Sequence, residues 1–168
     1  MLEAELERLG IPSEAAIVNI GCASGAIVKG PGIPNADLME TLSQSLSLSL
    51  EVTADLPIGE TVRMKFTVRN VSESPVTLSL GGRPAYDFIV TKPDGTEVWH
   101  SLCGQIVFAS LDWRVLDPGE EVEFTALWEQ VDNTGNIVPS GAYLLRGILK
   151  LESPDFLETE ATLVSIRP

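Results

Sequence analysis

Apolar and polar residues begin to alternate at Ser45 and keep alternating, between turns, to the end of the chain. The first such run places an apolar residue at every second position, with serine or glutamate between them: Leu46, Leu48, Leu50 and Val52. Successive side chains of a strand point to opposite faces, so this pattern predicts a strand with one buried face. Seven or eight such runs, separated by turn residues, predict an all-β, immunoglobulin-like antiparallel β-sandwich.

The predicted strands cover residues 45–54, 60–70, 76–80, 86–92, 96–100, 120–130, 142–151 and 157–166. Gly81-Gly82 is predicted to end the third strand, and Pro93-Asp94-Gly95 to form a hairpin turn between the fourth and fifth. Residues 101–117 show no clean alternation, so they are predicted to be the longest irregular segment of the sandwich.

Residues 1–44 have a different pattern from the rest of the chain. The spacing of Leu2, Leu6 and Leu9 predicts a short helix, and Asn35 is suited to cap a second helix over residues 36–44. We therefore divide the chain into a partly helical N-terminal extension, residues 1–44, and a β-sandwich domain, residues 45–168. Because two short helices cannot build a core by themselves, the extension is expected to be peripheral.

The chain is strongly acidic, with 24 Asp and Glu against 11 Lys and Arg, which gives a net charge of −13. A protein without a basic stripe cannot neutralise phosphates, so nucleic acid is not an expected partner. Membrane insertion is not expected either, because no apolar run approaches the roughly 20 residues that cross a bilayer. The acidity favours solubility, or attraction toward a basic protein partner.

The two cysteines, Cys22 and Cys103, are too few for a disulfide framework. We expect free thiols and a cytoplasmic location, although a single bridge between them would tie the extension to the domain. Residues 1–14 carry the wrong charge for a signal peptide. An exported or lipid-anchored form stays open as the alternative, because Gly21-Cys22 is similar to the cleavage site of a lipoprotein.

The sequence lacks the residue combinations that catalysis needs. The single histidine, His100, is followed by Ser101, and neighbours on a strand face opposite sides, so the two cannot form a nucleophile–base contact. No second histidine is available for a metal site, and the loop Asp132–Asn136 departs from the spacing of a calcium loop. We therefore expect no enzyme activity, no cofactor and no metal, and a structural role for His100.

Several short motifs follow one another along the sandwich: Phe66-Thr67-Val68-Arg69-Asn70, Tyr86-Asp87-Phe88, Asp94-Gly95-Thr96-Glu97-Val98-Trp99, Leu116-Asp117-Pro118-Gly119-Glu120 and Val138-Pro139-Ser140-Gly141-Ala142-Tyr143. In this order they resemble the intracellular proteinase inhibitor (BsuPI) domain family, over about residues 46–166. The resemblance implies a β-sandwich that inhibits a bacterial subtilisin-like serine protease, so a protease is the expected partner. The alternative is an immunoglobulin-like binding or accessory module without inhibitory activity, on the cell surface.

An inhibitor needs a protruding, preorganised segment, because ordering a flexible one costs affinity. Residues 101–117 are the first candidate, with Leu111, Trp113 and Arg114 as protease contacts. A second candidate is Gly81–Ala85, in which Pro84 stiffens the chain beside Arg83. Trp113 has a competing interpretation, in which it packs over the open end of the sandwich. The oligomeric state is not fixed by the sequence.

Overall fold

In a computed structural model, the chain folds as a sandwich of antiparallel strands with one short helix, and the structure describes residues 17–19, 35–152 and 155–168. The helix α1 spans Ala36–Ser45. The strands are β1 Ile17–Asn19, β2 Leu46–Val52, β3 Asp55–Pro57, β4 Val62–Asn70, β5 Val76–Arg83, β6 Tyr86–Thr91, β7 Glu97–His100, β8 Ile106–Leu116, β9 Glu121–Trp128, β10 Gly141–Lys150, β11 Phe156–Glu158 and β12 Thr162–Arg167.

The strands form three hydrogen-bonded sheets. One has the order β2-β4-β9, and a second has the order β3-β12-β10-β6-β7, with β11 also on β10. The third, β1-β8-β5, meets the second at an isolated bridge between Leu80 and Leu151. Among the described strands, every pairing is antiparallel except that of β3 with β12.

The core lies between the first two sheets, because each sheet turns its apolar positions toward the other. β4 buries Val62, Met64, Phe66 and Val68, as the alternation predicts. Phe66 meets Phe88 of the opposite sheet edge-to-face, with ring centroids 6.3 Å apart. The sheets approach so closely that a Cβ on Gly147 of β10 would lie 2.6 Å from the ring of Phe66. Glycine at residue 147 is therefore a packing requirement.

A second aromatic group closes one end of the core. Trp128 is fully buried, donates its Nε1–H to the Val131 carbonyl at 2.8 Å, and packs against Trp99 and Tyr143. The Tyr143 hydroxyl donates to the Pro139 carbonyl at 2.7 Å, four residues upstream. A tyrosine that bonds back to nearby backbone in this way is characteristic of immunoglobulin-like sandwiches.

The predicted fold class is confirmed. The described residues contain eight strands of six or more residues, together with four shorter ones. The helix predicted after Asn35 is also confirmed, since Asn35 Oδ1 accepts the N–H of Leu38 at 3.1 Å as an N-cap. The helix predicted from Leu2, Leu6 and Leu9 lies outside the described residues.

Three expectations about local structure are wrong. Residues 101–117 are not irregular, because all but a short turn and the last residue belong to β8, the longest strand. β5 does not end at Gly81-Gly82 but continues through both glycines to Arg83. The strand predicted over 157–166 is two strands, β11 and β12, separated by residues 159–161.

The expectation of free thiols is also wrong, because Cys103 is disulfide-bonded. Cys103 lies in the turn between β7 and β8, at the base of the longest strand. The only other cysteine of the chain, Cys22, is outside the described residues.

Candidate protein-interaction surface

The residues predicted to contact a protease lie together on one pair of strands, although the sequence placed them in two separate loops. Val76–Arg83 of β5 pairs with Ile106–Leu116 of β8, and we call this pair the β5–β8 ribbon. Leu111, Trp113 and Arg114 are on β8, and Arg83 ends β5 directly before Pro84. The structure therefore replaces two candidate loops by a single ribbon.

A bulge explains why the sequence did not reveal β8. Gly81 pairs with Leu111 and Arg83 with Phe108, so Gly82 stands opposite two residues, Ala109 and Ser110. Such a bulge shifts the alternation by one residue. Exposed apolar side chains are two residues apart on either side of the bulge but three apart across it, and the period of two is lost.

Two glycines let β5 take this path. Gly82 has φ of +86°, a left-handed conformation that glycine adopts without strain. Gly81 lies so close to β10 that a Cβ on it would collide with the backbone carbonyl of Leu151. The Gly81-Gly82 pair, which the sequence presented as a strand end, is thus the site where β5 crosses the end of β10 and bends toward β8.

The outer face of β8 exposes five apolar side chains, which we call the apolar stripe: Ile106, Phe108, Leu111, Trp113 and Val115. The Trp113 side chain is 63% exposed, whereas Val107 and Leu116 of the same strand are buried. The interpretation in which Trp113 covers the open end of the sandwich is therefore wrong. Large apolar side chains grouped on one exposed strand are typical of an interaction surface.

Charged residues of the β5–β8 ribbon form two ion pairs. Arg83 lies 2.9 Å from the Asp112 carboxylate, and both side chains are mostly exposed. Arg114 is 4.0 Å from Glu120, a contact that contributes little in water. The Arg83–Pro84 peptide bond is cis. Arg114 lies between Trp113 and Val115, so it projects from the opposite face of β8. The charges of both arginines are partly balanced by the chain itself.

A buried polar cluster holds the turn that leads into β8. Asp87 of β6 accepts a hydrogen bond from the Ser101 hydroxyl at 2.7 Å, and its other oxygen lies 3.3 Å from Nδ1 of His100. The hydrogen bond with Asp87 raises the pKa of His100, while burial opposes that rise. Glu97 lies 4.0 Å from Nε2 of His100 and adds to the rise.

This cluster has the components of a catalytic triad in the wrong arrangement. Asp87 stands between Ser101 and His100, so the histidine receives no proton from the serine and the serine is not activated. The sequence analysis excluded a direct contact between His100 and Ser101, but it gave no sign that Asp87 would join them. The geometry suits a structural clamp, which keeps β6, β7 and the following turn together.

The loop Asp132–Asn136 is closed by its own hydrogen bonds. Asp132 Oδ1 accepts the Thr134 hydroxyl at 2.6 Å and the N–H groups of Thr134 and Asn136. These bonds, that of the Thr134 hydroxyl first, lower the pKa of Asp132. Throughout the described residues, no group of three acidic, histidine or cysteine side chains is placed to hold a metal. The part of the chain that the structure describes also contains no helix suited to crossing a bilayer.

Three solved structures are similar to this chain. They are the sporulation control protein Spo0M from Bacillus subtilis (12% identity, TM-score 0.44), the CARDB domain of PF1109 from Pyrococcus furiosus (15%, 0.38) and the DNA glycosylase AlkC from Pseudomonas fluorescens (18%, 0.40). The matches cover 74%, 73% and 74% of this chain, and 50%, 94% and 31% of the respective structures. At these identities and TM-scores, the three structures support no conclusion about this chain.

The sequence comparison is more specific. No curated protein matches the chain significantly. The sequence profile of the BsuPI family, described as "Intracellular proteinase inhibitor", matches residues 47–154. This match covers most of the chain, including β2 from its second residue and all of β3 to β10, and therefore the β5–β8 ribbon. The chain belongs to the BsuPI family of intracellular proteinase inhibitors.

Proposed function

We propose that this protein inhibits a bacterial subtilisin-like serine protease and binds it through the β5–β8 ribbon. Family membership supports a proteinase inhibitor. The single observation that carries the choice of surface is the apolar stripe. It exposes Trp113 on β8, a strand whose backbone is paired with β5. Inhibition by binding alone requires no catalytic residue, which agrees with the absence of a usable serine–histidine contact in the Asp87 cluster.

The proposed contacts are Leu111, Trp113 and Arg114, with Arg83 and Pro84 at the end of β5. Tryptophan and arginine contribute disproportionately to binding when a partner removes them from water. A strand is also a better platform than the loop that the sequence predicted, because β5 already fixes its backbone and less entropy is lost on binding.

Titration of the purified full chain against a panel of subtilisin-like serine proteases tests the proposal. We expect stoichiometric inhibition of at least one of them. In Trp113→Ala the dissociation constant should rise by about 30-fold or more, which corresponds to about 2 kcal/mol. The matched control is Leu127→Ala on β9, which removes another side chain that is 60% exposed but lies on a different sheet.

A stability measurement separates the contact role of Trp113 from a structural one. Because Trp113 is mostly exposed, Trp113→Ala should change the free energy of unfolding by no more than about 0.5 kcal/mol. Unaltered inhibition by Trp113→Ala and Leu111→Ala would remove the apolar stripe from the proposal. Failure to inhibit any protease of the panel would contradict the inhibitory function.

A second candidate is an exported binding module without inhibitory activity. The disulfide at Cys103 favours it, because disulfides persist mainly in oxidising compartments. We nevertheless propose the cytoplasm, since the family is described as intracellular. Cell fractionation combined with alkylation of free thiols decides between them. A protein recovered from the cytoplasmic fraction supports our assignment, and an oxidised protein recovered only outside the cytoplasm contradicts it.

A further inference from the structure

Among the described strands, one edge of β8 has no partner over most of its length. β5 pairs with the opposite edge from Arg83 to Val76, and β1 pairs with this edge only at Ile106–Phe108. Between Ser110 and Leu116, none of the described strands pairs with it. An unpaired strand edge presents backbone N–H and C=O groups to whatever approaches, and can therefore accept another strand.

Two observations show that this edge is suited to pairing. At Ile106–Phe108 it already accepts β1 as an antiparallel strand, so the same edge is pairing-competent where β8 begins. Farther along, the backbone N–H of Trp113 donates to the Asp112 carboxylate at 3.0 Å, and Asp112 is exposed. The carbonyl of an incoming strand could take the place of this carboxylate as the acceptor.

We propose that the edge Ser110–Leu116 binds an extended segment of the target protease as an added strand. This inference rests on the proposed function and specifies how the partner is held. A protease that holds a polypeptide substrate extended must offer backbone donors and acceptors to it, because an unpaired buried peptide group is costly. The occupant is therefore the segment of the protease that pairs with the backbone of its substrates.

The side chains of β8 fit this arrangement. Leu111, Trp113 and Val115 are alternate residues, so they project from one face of the strand and can enter consecutive pockets beside the added strand. The backbone pairing supplies affinity and the side chains supply specificity, as in other complexes formed by strand addition. β5 holds β8 in the extended conformation before the partner arrives.

Hydrogen exchange followed by mass spectrometry tests the strand addition. In the complex with a protease that this protein inhibits, the amides of Ser110–Leu116 that point away from β5 should exchange about tenfold more slowly, or slower still, than in the free protein. The matched control is β9, whose outer edge is likewise unpaired among the described strands and should gain no protection. A protease whose cleft is filled by a peptidic inhibitor should neither bind nor protect the β8 edge.

Each other result has a definite meaning. Inhibition without protection of Ser110–Leu116 overturns the strand addition and leaves the proposed inhibitor intact. Protection by a protease with a filled cleft overturns the choice of occupant. Strong protection, in the free monomer, of the amides that point away from β5 identifies a segment of this chain as the occupant. Protection of these amides that rises with concentration identifies a second copy, and both results overturn the inference. Absence of binding to any protease overturns the proposed function and the inference together.

Discussion

His100 illustrates how a single residue couples the stability of this fold to pH. Its imidazole is buried between Asp87 and Glu97. The backbone N–H of His100 donates to Asn133 Oδ1 at 3.1 Å, and Asn133 Nδ2 donates to Glu97 at 3.0 Å. The hydrogen bond with Asp87 raises the pKa of His100, so the charged imidazolium is favoured in the folded state. Asp87 also interacts with Lys150, whose pKa is lowered by burial.

The first prediction concerns this residue. A histidine with a raised pKa contributes stability that is fully present below its unfolded pKa of about 6.5 and is lost as the pH rises through the folded value. We expect the free energy of unfolding of the native protein to fall as the pH rises from about 6 to about 9, the range in which histidine loses its proton. Chemical denaturation at each pH measures it. The fall should be smaller in His100→Gln.

The comparison between the native protein and His100→Gln is the control in that experiment. The opposite trend that Lys150 imposes is common to both, so the difference between their pH profiles isolates the histidine to first order. Identical profiles would show that the contact with Asp87 does not favour the charged imidazole in the folded protein.

At the scale of the element, tight contacts between strands decide which residues are tolerated. Gly147 of β10 faces Phe66 of β4 across the core, and Gly147 N–H also donates to the Thr159 hydroxyl at 3.1 Å. An added methyl group must displace an aromatic ring that is fully buried. Overpacking of this kind typically costs about 1–3 kcal/mol.

The second prediction follows from this contact. Gly147→Ala should lower the free energy of unfolding by about 1–3 kcal/mol. Phe66→Leu makes room for the methyl group, so the double variant should be destabilised less than the sum of the two single variants. Thermal or chemical unfolding of the four proteins measures this coupling. Strict additivity would mean that the methyl group is accommodated without moving Phe66.

The elements also show how far the sequence predicts the structure. Alternation predicts β2, β4 and β9 to within about three residues at each end, because one face of each is buried and the other is wet. It fails for β8, where the bulge opposite Gly82 changes the spacing and the exposed face is apolar. Residue type alone still selects Leu111 and Trp113 as candidates for contacts, whereas Val115 and the pairing of Arg83 with Asp112 require the three-dimensional register.

At the scale of the molecule, the border between extension and domain falls inside a structural unit. α1 ends at Ser45 and β2 begins at Leu46 without a linker, and the N–H of Leu46 caps the helix by donating to the Leu42 carbonyl. Leu42 is 5% exposed and belongs to the main core. α1 is thus part of the packed sandwich at its C-terminal end, although the family match begins only at residue 47.

The third prediction tests the contribution of α1. Leu42→Ala should lower the free energy of unfolding by about 2–5 kcal/mol, because it leaves a cavity in the core. Leu38→Ala, on the exposed side of the same helix, is the matched control and should have little effect. Equal and small effects of both substitutions, measured by chemical denaturation, would show that α1 is peripheral, as the sequence analysis expected.

The charge of the whole molecule leads to the last prediction. A net charge of −13 produces a field that accelerates association with a basic surface, and salt weakens that field because the Debye length is about 10 Å at 0.1 M. We expect the rate constant for association with a protease that this protein inhibits to fall as the salt concentration rises. Trp113→Ala should instead raise the dissociation rate and leave this salt dependence unchanged, since the side chain is uncharged. Stopped-flow measurements on both proteins separate the two effects. An association rate that is independent of salt would mean that the acidity serves solubility alone.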